Sequence, residues 1–281
     1  HYPLEFMVAV INNFGGFYRT WVYVHEAKRE GAVIEAPCVN RSNYMTAICD
    51  DHIYLGFIHV SGLESSLARE IDNERDKRGD YLDLADFISR IGPGLEQCLL
   101  LVRVGAFRFT GKSKAVLLWE AHMLINRGKS ESARTLFNPE PKKFVMPAFE
   151  QTRLEDAYDE IELLGFPVSL TWFDMLQTRF RGEVMAAGMK DMKGRKVKMV
   201  GHLVTVKYIK TSKREWMNFG NFIDDKGDFF DTTHFPQSLV SYPFRGSGTY
   251  LIQGKIVDEF GYTSVEVEKM ARLPVQPDPR Y

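Results

Sequence analysis

Residues 194–214, GRKVKMVGHLVTVKYIKTSKR, hold seven Lys or Arg and no Asp or Glu, in a chain of 281 residues whose formal net charge is −1. The stretch alternates apolar and polar residues at β-strand period and runs into the turn signal Thr211-Ser212. Further strand-like runs follow at about 214–223, 228–235, 249–258 and 262–270. Asp225-Lys226-Gly227, a longer segment with Pro236 and Pro243, and Phe260-Gly261 separate them. Five strands with the longest insertion between the third and fourth predict an all-β barrel of the OB type. The basic stretch is then its long first strand and turn.

The residues before this unit read differently. Tyr18, Trp21, Val22 and His25 share one face of a predicted helix that Gly31 stops. Short extended pieces follow, broken by Pro37 and Asp50-Asp51. From Ser61 to about Asn126 the pattern is one of compact short helices. Ser61 and Glu64 have capping-box spacing, Gly79 ends that helix, and Asp83 to Arg90 forms the next. Leu95 to Val104 stops at Gly105, and Thr110 is placed to cap a fourth helix. Such turns expose helix N-termini whose free N–H groups suit phosphate oxygens. Residues 127–149 carry three prolines and read as a linker. Within it the pair Leu136-Phe137 has no helical or strand company. A helix from about Arg153 carries Glu155, Asp156, Asp159, Glu160 and Glu162, read as a solvated face, and stops at Gly165.

Composition excludes several classes. Apolar residues make up 44% and charged residues 26%, as in ordinary globular proteins. No apolar run reaches membrane-spanning length, and the first residues lack signal-peptide features, so a cytoplasmic chain without membrane contact is expected. Cys38, Cys49 and Cys98 form no CxxC pair and are expected to be reduced. Cys49 and His52 lack a second pair to complete a zinc site. Asp224-Asp225 fits a hairpin turn better than a carboxylate pair. A hydrolase built on Asp224 or His234 lacks an assembled base, nucleophile and orienting group. No catalytic residue and no metal ligand is assigned. The chain reads as a binding module.

On the barrel, Lys207, Tyr208, Lys210, Lys213, Arg214 and Trp216 surround the first hairpin. A basic groove with aromatic faces is what single-stranded nucleic acid requires. Trp216, Phe219 and Phe222 also suit the barrel core, and core is the favoured reading of these rings because a small barrel must fill its interior.

HYPLEFMVAV, EAPCVNRSNY, IYLGFIHVSG, LVRVGAFRFTG, ELLGFPVS and the block from GRKVKMVGHL to DTTHF occur in an order that resembles the C-terminal part of the alpha subunit of bacterial DNA polymerase III. The resemblance implies the end of a fingers domain at 1–36 and a tandem helix-hairpin-helix DNA-binding region at 37–128. A linker with a clamp-binding peptide at 129–150, a helical connector at 151–192, an OB-fold at 193–274 and a tail at 275–281 complete the division. It places duplex contacts at Ser61, Gly62, Gly105 and Ala106, with Val60 where the family usually has a glycine. The sliding-clamp peptide maps to Ala133, Arg134, Thr135, Leu136 and Phe137, with Ala133 at the usual Gln. Template single strand maps to the OB surface. The family uses divalent metal, Mg, held by palm carboxylates for nucleotidyl transfer. These residues match no palm domain, so a fragment inactive alone and without its own cofactor is expected, and His1-Tyr2-Pro3 reads as an opening in mid-pattern. Partners implied are double- and single-stranded DNA, the clamp and other replisome subunits. The alternative is a free-standing OB-fold binding protein for single-stranded DNA or RNA with a helical partner domain.

Overall fold

A computed structural model describes residues 2–49, 51–130, 152–259 and 261–281, with the backbone alone for 126–130. The chain forms two compact units, 1–169 with 278–281, and 170–277. The expected connector at 151–192 is therefore shared between units, and the expected tail at 275–281 divides after Pro277.

In the first unit, helices α1 (Pro3–Asn12) and α2 (Thr20–Arg29) precede a small sheet of β1 (Val33–Glu35), β2 (Ala47–Cys49) and β3 (His52–Tyr54). Strand β3 lies centrally, parallel to β1 and antiparallel to β2. The buried side of α2 is Val22, Val24 and Ala27; Tyr18 precedes the helix and does not share its face. Four helices follow: α3 (Ser65–Arg78), α4 (Leu84–Ile91), α5 (Leu95–Arg103) and α6 (Lys114–Ser130). Their apolar faces converge on Ile71, Leu84, Phe87, Leu101 and Phe107, all fully buried. Helix α7 (Arg153–Leu164) adds Leu163 to this core.

Two expected caps are displaced. The backbone turns through Gly62 at φ +79°, so α3 starts at Ser65 and Ser61 caps nothing. Thr110 instead closes its own tight turn, its hydroxyl donating to the Phe107 carbonyl at 2.9 Å. After Gly111 at φ +68°, Ser113 supplies the carbonyl that accepts the Leu117 N–H and begins α6. Caps read well where the turn is simple. Asp83 accepts the Asp86 N–H, and Thr152 with Glu155 forms a full capping box.

The acids of α7 are not a solvated face throughout. Asp159 and Glu160 are each 5% exposed. Asp159 receives Arg103 at 2.8 Å, Lys114 at 3.2 Å and Arg280 at 2.5 Å. Glu160 accepts the Val168 and Ser169 N–H groups and the Ser169 hydroxyl. Burial pushes the Glu160 carboxyl up, opposed by those three donors.

The second unit is a closed barrel of β4 (Lys196–Lys210), β5 (Trp216–Ile223), β6 (Phe229–His234), β7 (Thr249–Glu259) and β8 (Tyr262–Arg272), in the order β4-β5-β6-β8-β7. Strands β4 to β6 form a meander, β6 and β8 pair in parallel, and β7 closes onto β4. That order, with helix α8 (Pro236–Ser241) between the third and fourth strands, is an OB-fold. Strand β4 serves both sides of the barrel because it is long: residues 196–202 pair with β7 and 202–210 with β5. Only glycine fits at position 201, since a Cβ there would stand 2.6 Å from the Phe230 ring. Phe222, Phe230, Tyr250, Ile252 and Val265 fill the interior. Asp224 is the expected turn residue, accepting the Lys226 and Asp228 N–H groups.

Candidate nucleic-acid interface

The first barrel hairpin outgrows the barrel. Beyond residue 203, β4 pairs only with β5, and the two form an arm closed by Thr211–Glu215. Thr211 ties the turn, its N–H donating to Glu215 O at 2.9 Å and its hydroxyl accepting the Glu215 N–H at 3.2 Å. Arg214 sits there at φ +63°, a conformation that favours glycine.

Residues directly opposite in an antiparallel pair share a face. Lys210 stands opposite Trp216, Tyr208 opposite Asn218 and Val206 opposite Gly220, all on the face that continues the barrel interior. Lys207 stands opposite Phe219 on the other face. The six residues expected to act together are thus divided. Tyr208, Lys210 and Trp216 share one side, with the Lys210 ammonium 4.8 Å from the Trp216 ring centroid; Lys207 belongs to the outer side, and Lys213 and Arg214 to the tip. Tyr208 is 61% and Trp216 55% exposed, and Phe219 is also exposed, so of the three rings read as core only Phe222 is buried. The reason is length: the inner face of the arm extends past the wall that would cover it.

The arm cations, Lys207, Lys210, Lys213 and Arg214, form no ion pair among the described residues. At the barrel end of the same stretch, Lys196 is held by Glu268 at 2.6 Å. The charge left for an anion is concentrated on the arm. Unpaired cations beside open aromatic faces hold a polyanion whose flat groups can stack.

Below the arm the barrel wall carries buried imidazoles. Burial lowers His234 from 6.5 to about 4, and burial with nearby Arg272 lowers His202 to about 3. His202 also stacks on Trp172 at 4.5 Å. Between pH 6.5 and about 4 the unfolded chain binds more protons than the folded one, so stability is full above that window and falls as pH drops through it. His234 alone accounts for roughly 3 kcal/mol by pH 4. The barrel's melting midpoint is expected to fall steadily from pH 7 to 4.5; a flat profile would show that these rings charge freely in the folded state.

In the helical unit the two hairpins carry Gly62 at φ +79° and Gly105 at φ +83°. Val60 has ordinary extended backbone and is 4% exposed, so its side chain enters the core and does not crowd the hairpin surface. The backbone donors differ. Ser61 N–H donates to Leu163 O at 2.7 Å, Gly105 N–H to Val102 O and Ala106 N–H to Leu101 O. These three expected phosphate donors are consumed inside the fold. At the start of α3 the N–H groups of Ser65, Ser66 and Leu67 have no partner among the described residues, as helix geometry leads one to expect of a first turn. Gln97 braces this hairpin from α5, donating to Gly62 O and accepting the Glu64 N–H. Near the second hairpin, Lys112 is paired with Glu120, Lys114 with Asp156 and Arg108 with Glu35. Residues 37–128 hold eleven Lys or Arg against twelve Asp or Glu. A phosphate contact here depends on backbone N–H groups and the helix dipole, not on net charge.

The expected clamp peptide, Ala133–Arg134–Thr135–Leu136–Phe137, lies outside the described residues. No group of three His, Cys, Asp or Glu among the described residues could hold a metal ion. No helix among them is long and apolar enough to cross a membrane.

Residues 31–117 match the model of the helix-hairpin-helix motif family. Over 255 residues, 84% of this chain, the sequence is 25% identical to the DNA polymerase III subunit alpha of Treponema pallidum. The chain is similar to the DNA polymerase III alpha subunits. That of Staphylococcus epidermidis is 28% identical over 60% of this chain, and the error-prone DNA polymerase of Bdellovibrio bacteriovorus is 32% identical over 44%. The chain spans 22%, 16% and 12% of the length of these three polymerases. Among solved structures, the single-stranded DNA binding protein from Thermus aquaticus aligns with 29% of this chain and 41% of its own at 16% identity, with a TM-score of 0.27. The OB assignment rests on the strand order of the barrel.

Proposed function

We propose that this chain is a DNA-contacting part of a polymerase III alpha polypeptide. Single-stranded template lies along the barrel arm and duplex is held at the helical hairpins. The observation that carries this reading is the arm itself, where unpaired cations and two open aromatic faces stand together. Its context in this reading is template-directed DNA synthesis, in the cytoplasm with other replisome subunits. The Mg that such transfer needs belongs outside these residues. The Leu136-Phe137 pair is assigned to a sliding clamp, as an apolar plug of the kind that fills a partner's pocket.

Fluorescence anisotropy with labelled single-stranded and duplex DNA across salt concentrations tests the two DNA contacts. Each single-strand phosphate neutralised contributes about 0.7 to the slope of log affinity against log salt. Replacing Lys210 and Lys213 by alanine and Arg214 by glycine, which suits its backbone, is expected to flatten the single-strand slope by about 2. Duplex binding is expected to show a shallower slope and to survive those changes. An unchanged single-strand slope would remove the arm from the account.

A further inference from the structure

Directly beneath the exposed ring of Tyr208, one register row crosses three strands: Tyr208 on β4, Asn218 on β5 and His234 on β6. All three side chains leave the same face of the sheet. Asn218 is 6% and His234 0% exposed, yet Asn218 Oδ1 and His234 Nδ1 have no hydrogen-bond partner among the described residues. Buried polar atoms left in that condition are rare in folded proteins.

The proton positions follow from the neighbours. The Thr232 hydroxyl donates its one hydrogen to Gly220 O at 3.0 Å, so its oxygen accepts from His234 Nε2 at 2.9 Å. His234 therefore carries its hydrogen on Nε2, and Nδ1 presents a bare lone pair. Asn218 Oδ1 presents another. No further side chain fits the floor, since a Cβ on Gly220 would stand 2.7 Å from both the Phe222 ring and Thr232 Oγ1. Phe244, partly buried against the barrel core, lies 4.5 Å from the His234 ring.

We propose that this row is a base-recognition site that selects an exocyclic amino group. It rests on the single-strand reading of the arm. A base stacked on Tyr208, with Phe244 turned aside, places its amino nitrogen against the row. One amino group carries two hydrogens and satisfies both acceptors at once. Cytosine fits this demand, whereas uracil and thymine present carbonyl oxygens at the corresponding position and meet the two acceptors with like polarity.

The test compares the whole chain's affinity for oligonucleotides of deoxycytidine, deoxyuridine and N4,N4-dimethyldeoxycytidine, which differ little in charge. Deoxycytidine is expected to bind at least fivefold tighter than either of the others. Asn218→Leu, close in volume, is expected to bring deoxycytidine down to the deoxyuridine level. Should that variant fail to fold, the dimethylated base makes the same test on the unaltered protein. Equal and firm binding of all three overturns the amino-group site and leaves the single-strand reading standing. No binding of any of them overturns both.

Discussion

Replacing Tyr208 and Trp216 together by alanine is expected to weaken single-strand binding on the order of a hundredfold, because each base stacked on an aromatic ring contributes about 1–3 kcal/mol. Both rings are more than half exposed and share one face of the arm, with Lys210 above Trp216. The loss is expected in affinity at every salt concentration, with little change in slope, since neither ring carries charge. The paired change Lys207→Ala with Phe219→Ala, on the outer face, serves as the comparison. It removes one cation and one ring, and is expected to cost only a few-fold. Equal losses from the two pairs, measured by anisotropy, would show that the strand wraps both faces of the arm and would withdraw the one-sided contact.

The second large effect is structural. Asp159→Ala is expected to destabilise the helical unit by about 3–5 kcal/mol, the usual result of removing one partner from a buried ion network. Asp159 gathers Arg103 from α5, Lys114 from α6 and Arg280 from the end of the chain. Arg280 is additionally held by Asp278 at 2.6 Å, and Arg103 by Glu162. The hydrogen bond to Asp278, with the Asp159 and Glu162 carboxylates, pushes the Arg280 guanidinium up against the opposing effect of burial. Urea unfolding followed by far-ultraviolet dichroism measures the change. A loss below about 1 kcal/mol would place the network among solvated surface pairs.

These two sites mark what local sequence can and cannot reveal. The barrel was legible because its strands alternate and its turns carry Asp225-Lys226-Gly227 and Pro236 at the required places. His234 follows the same alternation, buried with Phe230 and Thr232 while Asp231 and Thr233 between them are more open, although it was assigned no place from sequence. Trp216 was misplaced because period two tells which face a ring is on, not whether another wall covers that face. Asp159 and Glu160 were read as solvated because nothing near them in sequence announces their partners. Arg103 is 56 positions away and Arg280 is 121. The donors for Glu160 are backbone N–H groups of residues 168 and 169, which carry no side-chain signature. At the hairpins, the family resemblance located the turns. Which N–H groups remained free depended on Leu163, Val102 and Leu101 accepting the others.

Residues 278–281 belong with 1–169, while 170–277 form the barrel. In chain order the barrel is therefore an insertion into the helical unit. A ribosome delivers Asp159 about 120 residues before Arg280. At synthesis rates of roughly 5–20 residues per second, that interval lasts several seconds or more. Through it the carboxylate has only two of its three cations, and the barrel has time to fold first. The helical unit reaches its final stability last, although most of it is made first.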